Sequence, residues 1–194
     1  LYEARGCAFV LATMLRRPDP DLYVSDYLYE GAPSGKSLAD WMGRDVQAAQ
    51  LLGWPHGWNS KQALTPAQRA ATYAMLDAFD VVGTTERFAE SVLLMARAAG
   101  VPHCQYCRMN EMKGRAKSRA ALLRDAPQRA AITRLAAFDA EVYATYAARL
   151  DATLARADAP FRARAARLHN ATAVTTRKSR WKYRQYYGGA PPDD

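Results

Sequence analysis

Cysteine and histidine are both scarce in this chain, with three of each among 194 residues. Three thiols are too few for the disulfide framework that holds small secreted domains together. Long apolar runs are missing as well: no stretch reaches the roughly 18 residues that cross a bilayer. The chain opens on Leu1, with no basic segment leading into an apolar one, so no signal peptide is visible. Acidic residues are in deficit, 19 Asp and Glu against 27 Lys and Arg, for a net charge of +8. Nothing is repetitive or compositionally extreme, which excludes collagen-like, mucin-like and wholly disordered chains. What is present, 49% hydrophobic residues, is enough for a real core.

The positive charge favours anionic partners in general: nucleic acid, acidic glycans, phosphorylated cofactors or anionic lipid. Cys104-Gln105-Tyr106-Cys107 has a metal-site spacing with His103 beside it, but zinc requires four ligands, usually from two such pairs. The remaining candidates are Cys7, His56 and His169, scattered along the chain. No metal site is therefore expected, and a local disulfide or free thiols both remain open.

Local signals punctuate the chain. Residues 7–15 form a continuous apolar run ending at Arg16-Arg17-Pro18, the pattern of a strand buried on both faces of a parallel sheet. Ser37 heads a helix with Leu38, Trp41, Met42, Val46, Ala49 and Leu52 at helical spacing, ending at Gly53. Thr65-Pro66-Ala67-Gln68 is a capping box that opens a helix to about Phe79. Residues 80–83 read as a short strand. Thr84 or Thr85 then caps a helix presenting Phe88, Val92, Leu93 and Met95, closed by Gly100. From 101 to 126 a polar, basic loop with one short helix is expected, and 128–168 reads as helix interrupted at Pro160. The tail, 170–194, is basic and aromatic.

Three motifs carry chemistry only weakly. Gly31 to Ser37 looks like a phosphate loop but has three residues between its glycines where the nucleotide-binding pattern needs four. Arg177 to Tyr187 alternates cations with Trp181, Tyr183, Tyr186 and Tyr187, as single-strand binders do. Asn170-Ala171-Thr172 is a glycosylation triplet that matters only in a secretory setting.

More informative is the order of four segments. Asp80-Val81-Val82-Gly83-Thr84-Thr85-Glu86-Arg87-Phe88-Ala89-Glu90-Ser91 resembles a signature of carbohydrate, Golgi-type sulfotransferases related to the heparan and uronyl 2-O-sulfotransferases. Upstream, strand 7–15 runs into Arg17, and Ser25 stands eight residues later. This is similar to the family segment in which an Arg and a Ser hold the 3′-phosphate of the sulfate donor PAPS. Asp45-Val46-Gln47 through Gly53 resembles a third family stretch, and Ala137 to Tyr143, with Asp139, resembles a fourth. The resemblance covers roughly residues 7–150. It departs at Pro18-Asp19, where the family has Asp-Pro, and at Leu22, where it has a further Arg.

The resemblance implies an α/β fold of the P-loop sulfotransferase type, a parallel sheet flanked by helices, here helix-rich and N-terminally incomplete. It implies a partial sulfotransferase domain over 1–169, with the tail after it. The activity would be in-line transfer of a sulfuryl group from PAPS to a carbohydrate hydroxyl, which needs a general base and cationic stabilisation of the bridging oxygen. Arg16, Arg17 and Ser25 would bind the donor, with Arg115 and Lys117 in a loop that closes over it; guanidinium groups grip phosphate with a permanent, forked charge. The family's 5′-phosphosulfate loop and usual base precede strand 7–15, so the catalytic residues stay unassigned and the isolated chain is expected to be largely inactive. A lumenal Golgi-membrane setting is implied by resemblance alone. A different class also fits the charge: a non-enzymatic helical module that grips nucleic acid or another polyanion through its tail.

Overall fold

Of the apolar run at 7–15, Ala12–Leu15 forms a strand that pairs in parallel, as its composition suggests, while Val10 and Leu11 precede it and 7–9 lie outside the described residues. In a computed structural model of the chain, the described residues are 10–18, 23, 37–53, 61–101 and 124–169. Strand β1 (Ala12–Leu15) lies beside β2 (Val81–Thr84), with Ala12 opposite Val81 and Leu15 opposite Thr84. Between them in sequence come α1 (Leu38–Trp41), α2 (Val46–Leu51) and α3 (Pro66–Asp77). After β2 come α4 (Phe88–Ala98), α5 (Ala126–Leu135) and α6 (Ala137–Ala155), then α7 over residues 159–169. The described chain is thus a helix-rich α/β structure with a two-stranded parallel sheet. Parallel pairing requires a long crossover, and α1 to α3 supply it.

The strand is less buried than expected. Ala12 is exposed, Thr13 and Met14 are half-buried, and only Leu15 is enclosed. The described helices reach the sheet chiefly near its carboxyl end, where Leu15 joins Ala48, Leu64, Leu76, Phe138, Val142 and Tyr146 in one core cluster. A second cluster gathers Tyr23, Leu38, Trp41, Met42, Val46, Ile132 and Ala136. Helix α2 serves both, with Val46 in one and Ala48 in the other. Burying each large side chain contributes about 1.5–3 kcal/mol.

Several helix boundaries obey the local signals. The Thr65 hydroxyl accepts from the Gln68 amide while the Gln68 side chain accepts from the Thr65 amide, with Pro66 at the first helical position. Gly53 and Gly100 take the left-handed φ values of 68° and 65° that close helices. Ser37 caps α1 through the Asp40 amide at 3.1 Å.

Other boundaries depart from expectation. The helix expected from Ser37 to Gly53 is two short ones, broken at Met42 to Asp45, where Asp45 adopts φ 47°. The Asp45 amide donates to the Leu135 carbonyl at 2.8 Å, a contact with α5 that a continuous helix would forbid. Neither Thr84 nor Thr85 is the cap of α4; Arg87 holds that position, and the Thr84 hydroxyl accepts from its amide at 3.3 Å. The enclosed stripe of α4 is Ala89, Ser91, Leu93 and Ala96, while Phe88, Val92 and Met95 are only half-buried. Small residues let α4 approach β2 closely. Pro160 does not interrupt a helix but opens α7, capped by Asp158, whose carboxylate accepts from the Phe161 amide at 2.7 Å. Cys7, the Gly31–Lys36 stretch, Cys104, Cys107 and the 170–194 tail lie outside the described residues.

Candidate functional site at the carboxyl end of the strands

Two parallel strands point their carboxyl ends the same way, so the segments leaving them are brought together. In open α/β sheets this edge is where ligands bind. Here β1 delivers Arg16 and Arg17, and β2 delivers the Thr85-Glu86-Arg87 turn. The ladder continues past the strands, since the Thr85 amide donates to the Leu15 carbonyl at 3.0 Å.

The Arg16-Arg17 backbone is gripped from both sides. From α2, the Gln47 side chain accepts from the Arg16 amide at 2.9 Å and donates to the Arg16 carbonyl at 2.8 Å. One side-chain amide thus reproduces the paired bonds of a neighbouring strand. From the β2 turn, Glu86 Oε1 accepts from the Arg17 amide at 3.2 Å, and its Oε2 accepts from the Tyr143 hydroxyl at 2.8 Å. Burial and the Glu86 carboxylate push the Tyr143 hydroxyl up to about 12, against a smaller lowering by the Arg17 charge. Glu86 thereby ties the Arg17 backbone to Tyr143 of α6. Both arginine side chains are exposed on anchored backbone.

Behind this edge two helix starts meet. Asp139, in the first turn of α6, accepts from the Gln47 amide at 3.0 Å and the Ala48 amide at 2.9 Å, and so caps α2. Asp45, at the head of α2, accepts from the Phe138 amide at 2.9 Å and so caps α6. Each helix thus has first-turn amides bonded to the other's carboxylate, and each positive helix end receives a negative charge. The Tyr23 hydroxyl adds a third donor to Asp139 at 3.3 Å. Burial pushes the Asp139 carboxyl up to about 6, offset by the Ala48 and Gln47 amides and reinforced by the Asp45 charge. Burial also raises Asp45, and burial with the Asp139 charge raises the Tyr23 hydroxyl.

The β2 turn is built by Gly83 and Ser91. The Ser91 hydroxyl accepts from the Thr84 amide at 3.0 Å and donates to the Thr84 carbonyl at 3.1 Å. It can do so because Gly83 has no side chain: a Cβ there would lie 2.5 Å from that of Ser91.

Of the donor-binding residues expected from the sequence, Arg16 and Arg17 stand together at this edge. Ser25, Arg115 and Lys117 lie outside the described residues. Sequence reasoning missed the clamps, Gln47 and Glu86, and the exchange of caps between Asp45 and Asp139. The signal was present in that three of the four similar segments each hold at least one of these polar residues, but spacing alone does not show that they meet. Beside the edge lies an open cleft of about 720 Å³, walled by Glu86, Arg87 and Glu90, by Asp151 of α6, and by Phe161 and Arg162 of α7. Arg16 and Arg17 do not line it; Glu86 belongs to both places. Among the described residues, no group of His, Cys, Asp or Glu could hold a metal ion, and no helix is long and apolar enough to cross a membrane.

No protein-family model matches the chain, and neither a curated protein nor a solved structure matches it. The class that fold and site define is a helix-rich α/β structure with a polar, arginine-bearing edge at the carboxyl ends of parallel strands.

Proposed function

We propose that the chain is a PAPS-dependent carbohydrate sulfotransferase with a P-loop-type sulfotransferase fold, acting on the lumenal side of the Golgi membrane. The observation that carries the reading is the clamped Arg16-Arg17 segment at the carboxyl end of β1, beside the Thr84–Ser91 turn whose sequence resembles the family signature. PAPS supplies an activated sulfuryl group. The residues suit its 3′-phosphate: two guanidinium groups on neighbouring residues of a clamped backbone offer a phosphate dianion permanent, forked charge. Gln47 and Glu86 act on the backbone, which fixes both arginines at the carboxyl end of β1. Ser25, Arg115 and Lys117 complete the donor set in this proposal.

The test is calorimetric binding of adenosine 3′,5′-bisphosphate. Arg17→Ala should weaken it about tenfold to a hundredfold, the worth of one charge-assisted hydrogen bond, with an unchanged circular dichroism spectrum. Absence of binding at low salt, or binding indifferent to Arg17→Ala, would overturn the reading. Oligonucleotide binding that falls steeply with salt and vanishes on deleting 177–187 would establish the polyanion module instead.

A further inference from the structure

The cleft beside the donor edge differs in character from the chain that contains it. The chain carries +8, yet among the described residues the cleft is lined by three carboxylates, Glu86, Glu90 and Asp151, against two guanidinium groups, Arg87 and Arg162, and the imidazole of His169. Arg87 is already engaged across the rim, pairing with Glu90 at 3.4 Å and with Asp151 at 3.1 Å. The Arg162 guanidinium donates to the Ala157 carbonyl. No positive surplus remains to neutralise a polyanion. The inner wall is apolar, with Phe161 half-buried, Leu154 and Ala155 beside it, and Ala165 enclosed. An apolar and aromatic wall with a few convergent polar groups, at about 720 Å³, has the size and make-up of a small-ligand site.

We infer that this cleft is the acceptor site and that it takes an uncharged oligosaccharide, rather than a uronate-bearing or sulfated one. The inference rests on the sulfotransferase reading for the word acceptor. Its own support is the charge of the cleft and its position. Carboxylates accept from sugar hydroxyls, guanidinium groups donate to them, and the Phe161 ring offers an apolar face for the sugar's C–H surface. A chain of acidic sugars would instead meet a lining in which carboxylates outnumber guanidinium groups and Arg87 is already paired, so its charges would go unneutralised there. Glu86 sets the alignment: the carboxylate that holds the Arg17 amide also forms the wall of the cleft, so a hydroxyl bound here lies against the donor-binding edge.

Binding of maltopentaose, the N-acetylglucosamine pentamer and a β-linked galactose pentamer would be compared with that of a galacturonate pentamer and a heparin pentasaccharide. Calorimetry on the full chain, with adenosine 3′,5′-bisphosphate present, is the readout. At least one neutral pentamer should bind, the acidic ones at least tenfold more weakly. Ala166→Trp fills the cleft from an exposed position without removing any packing, and should weaken the neutral sugar at least tenfold while nucleotide affinity stays within twofold. Phe161→Ala should do the same by removing the apolar face. Binding of acidic pentamers only, of no pentamer, or of a neutral one indifferent to Ala166→Trp would overturn the inference. Nucleotide binding that persists in those cases leaves the donor reading standing. Sugar binding in the cleft with no nucleotide binding would instead sink the donor reading alone.

Discussion

Asp139→Ala should lower the stability of the chain by about 4 kcal/mol, the largest effect expected of any single substitution here. The carboxylate is buried and accepts from the Gln47 and Ala48 amides and the Tyr23 hydroxyl. Alanine leaves all three donors without a partner in the interior, and each stranded donor costs about 1–3 kcal/mol. Urea unfolding tracked by circular dichroism measures the loss; a change below about 1 kcal/mol would show that water or another group replaces the carboxylate. The same residue sets a pH dependence. Its folded pKa of about 6 lies above the ordinary value of 3.8, so between these the folded state holds a proton that the unfolded state has lost. The associated stability is fully present below pH 3.8 and is lost as pH rises through 6, amounting to about 3 kcal/mol. Asp45, also raised, acts in the same direction, whereas Asp40 and Asp77 are lowered and act below this window. Asp139→Asn removes the titrating group, so the fall in stability between pH 4 and 6.5 should flatten in that variant even though its baseline is lower.

Gly83→Ala is the second large effect, with an expected loss of about 3 kcal/mol. The new methyl carbon would lie 2.5 Å from the Ser91 Cβ and 2.6 Å from its hydroxyl oxygen, and the Cβ is fixed to the α4 backbone, so turning the side chain does not relieve the clash. Relief requires α4 to move off β2, which breaks the two Ser91 bonds to Thr84 and opens the enclosed face of α4. Overpacking of this kind costs about 1–3 kcal/mol before those bonds are counted. Ser91→Gly alone should cost about 2 kcal/mol through the stranded Thr84 amide and helix propensity. The double variant tests the contact: with the Ser91 side chain gone, Gly83→Ala should add little, giving a coupling of at least about 1 kcal/mol in a double-mutant cycle. Additive losses would mean that the two residues do not share the clash.

How far these features were legible depends on whether their cause is local. The Thr65 box, the Pro66 start and the closures at Gly53 and Gly100 were readable because each signal lies within a few residues of its effect. So was the parallel strand ending at Arg16-Arg17, since an apolar run stopped by charge marks its own end. The break at Met42–Asp45 was not readable, because α5 and α6, far along the chain, impose it through the Leu135 carbonyl and the Phe138 amide. The buried face of α4 is set by a distant partner as well. Hydrophobicity favours Phe88, Val92 and Met95, while the close approach of β2 selects small residues, and nothing near 88–95 announces that partner. At the donor edge the arginines were visible as charges, but the Gln47 and Glu86 clamps were not, since a glutamine or glutamate on a helix or turn ordinarily faces water.

The exchange of caps between α2 and α6 has a consequence for how the chain reaches its fold. Helix α2 is six residues long, too short to persist by itself in water. Its start is completed by a carboxylate 92 residues later, and that residue's helix is completed in turn by Asp45. During synthesis, α2 therefore has no stable form until α6 has emerged, and the closure joining them encloses most of the described chain. Ordering of the Arg16-Arg17 edge, which hangs on Gln47, belongs among the late steps of folding. Non-local closure of this kind is slow to form, so substitutions at Asp45 and Asp139 should register as faster unfolding more than as slower collapse.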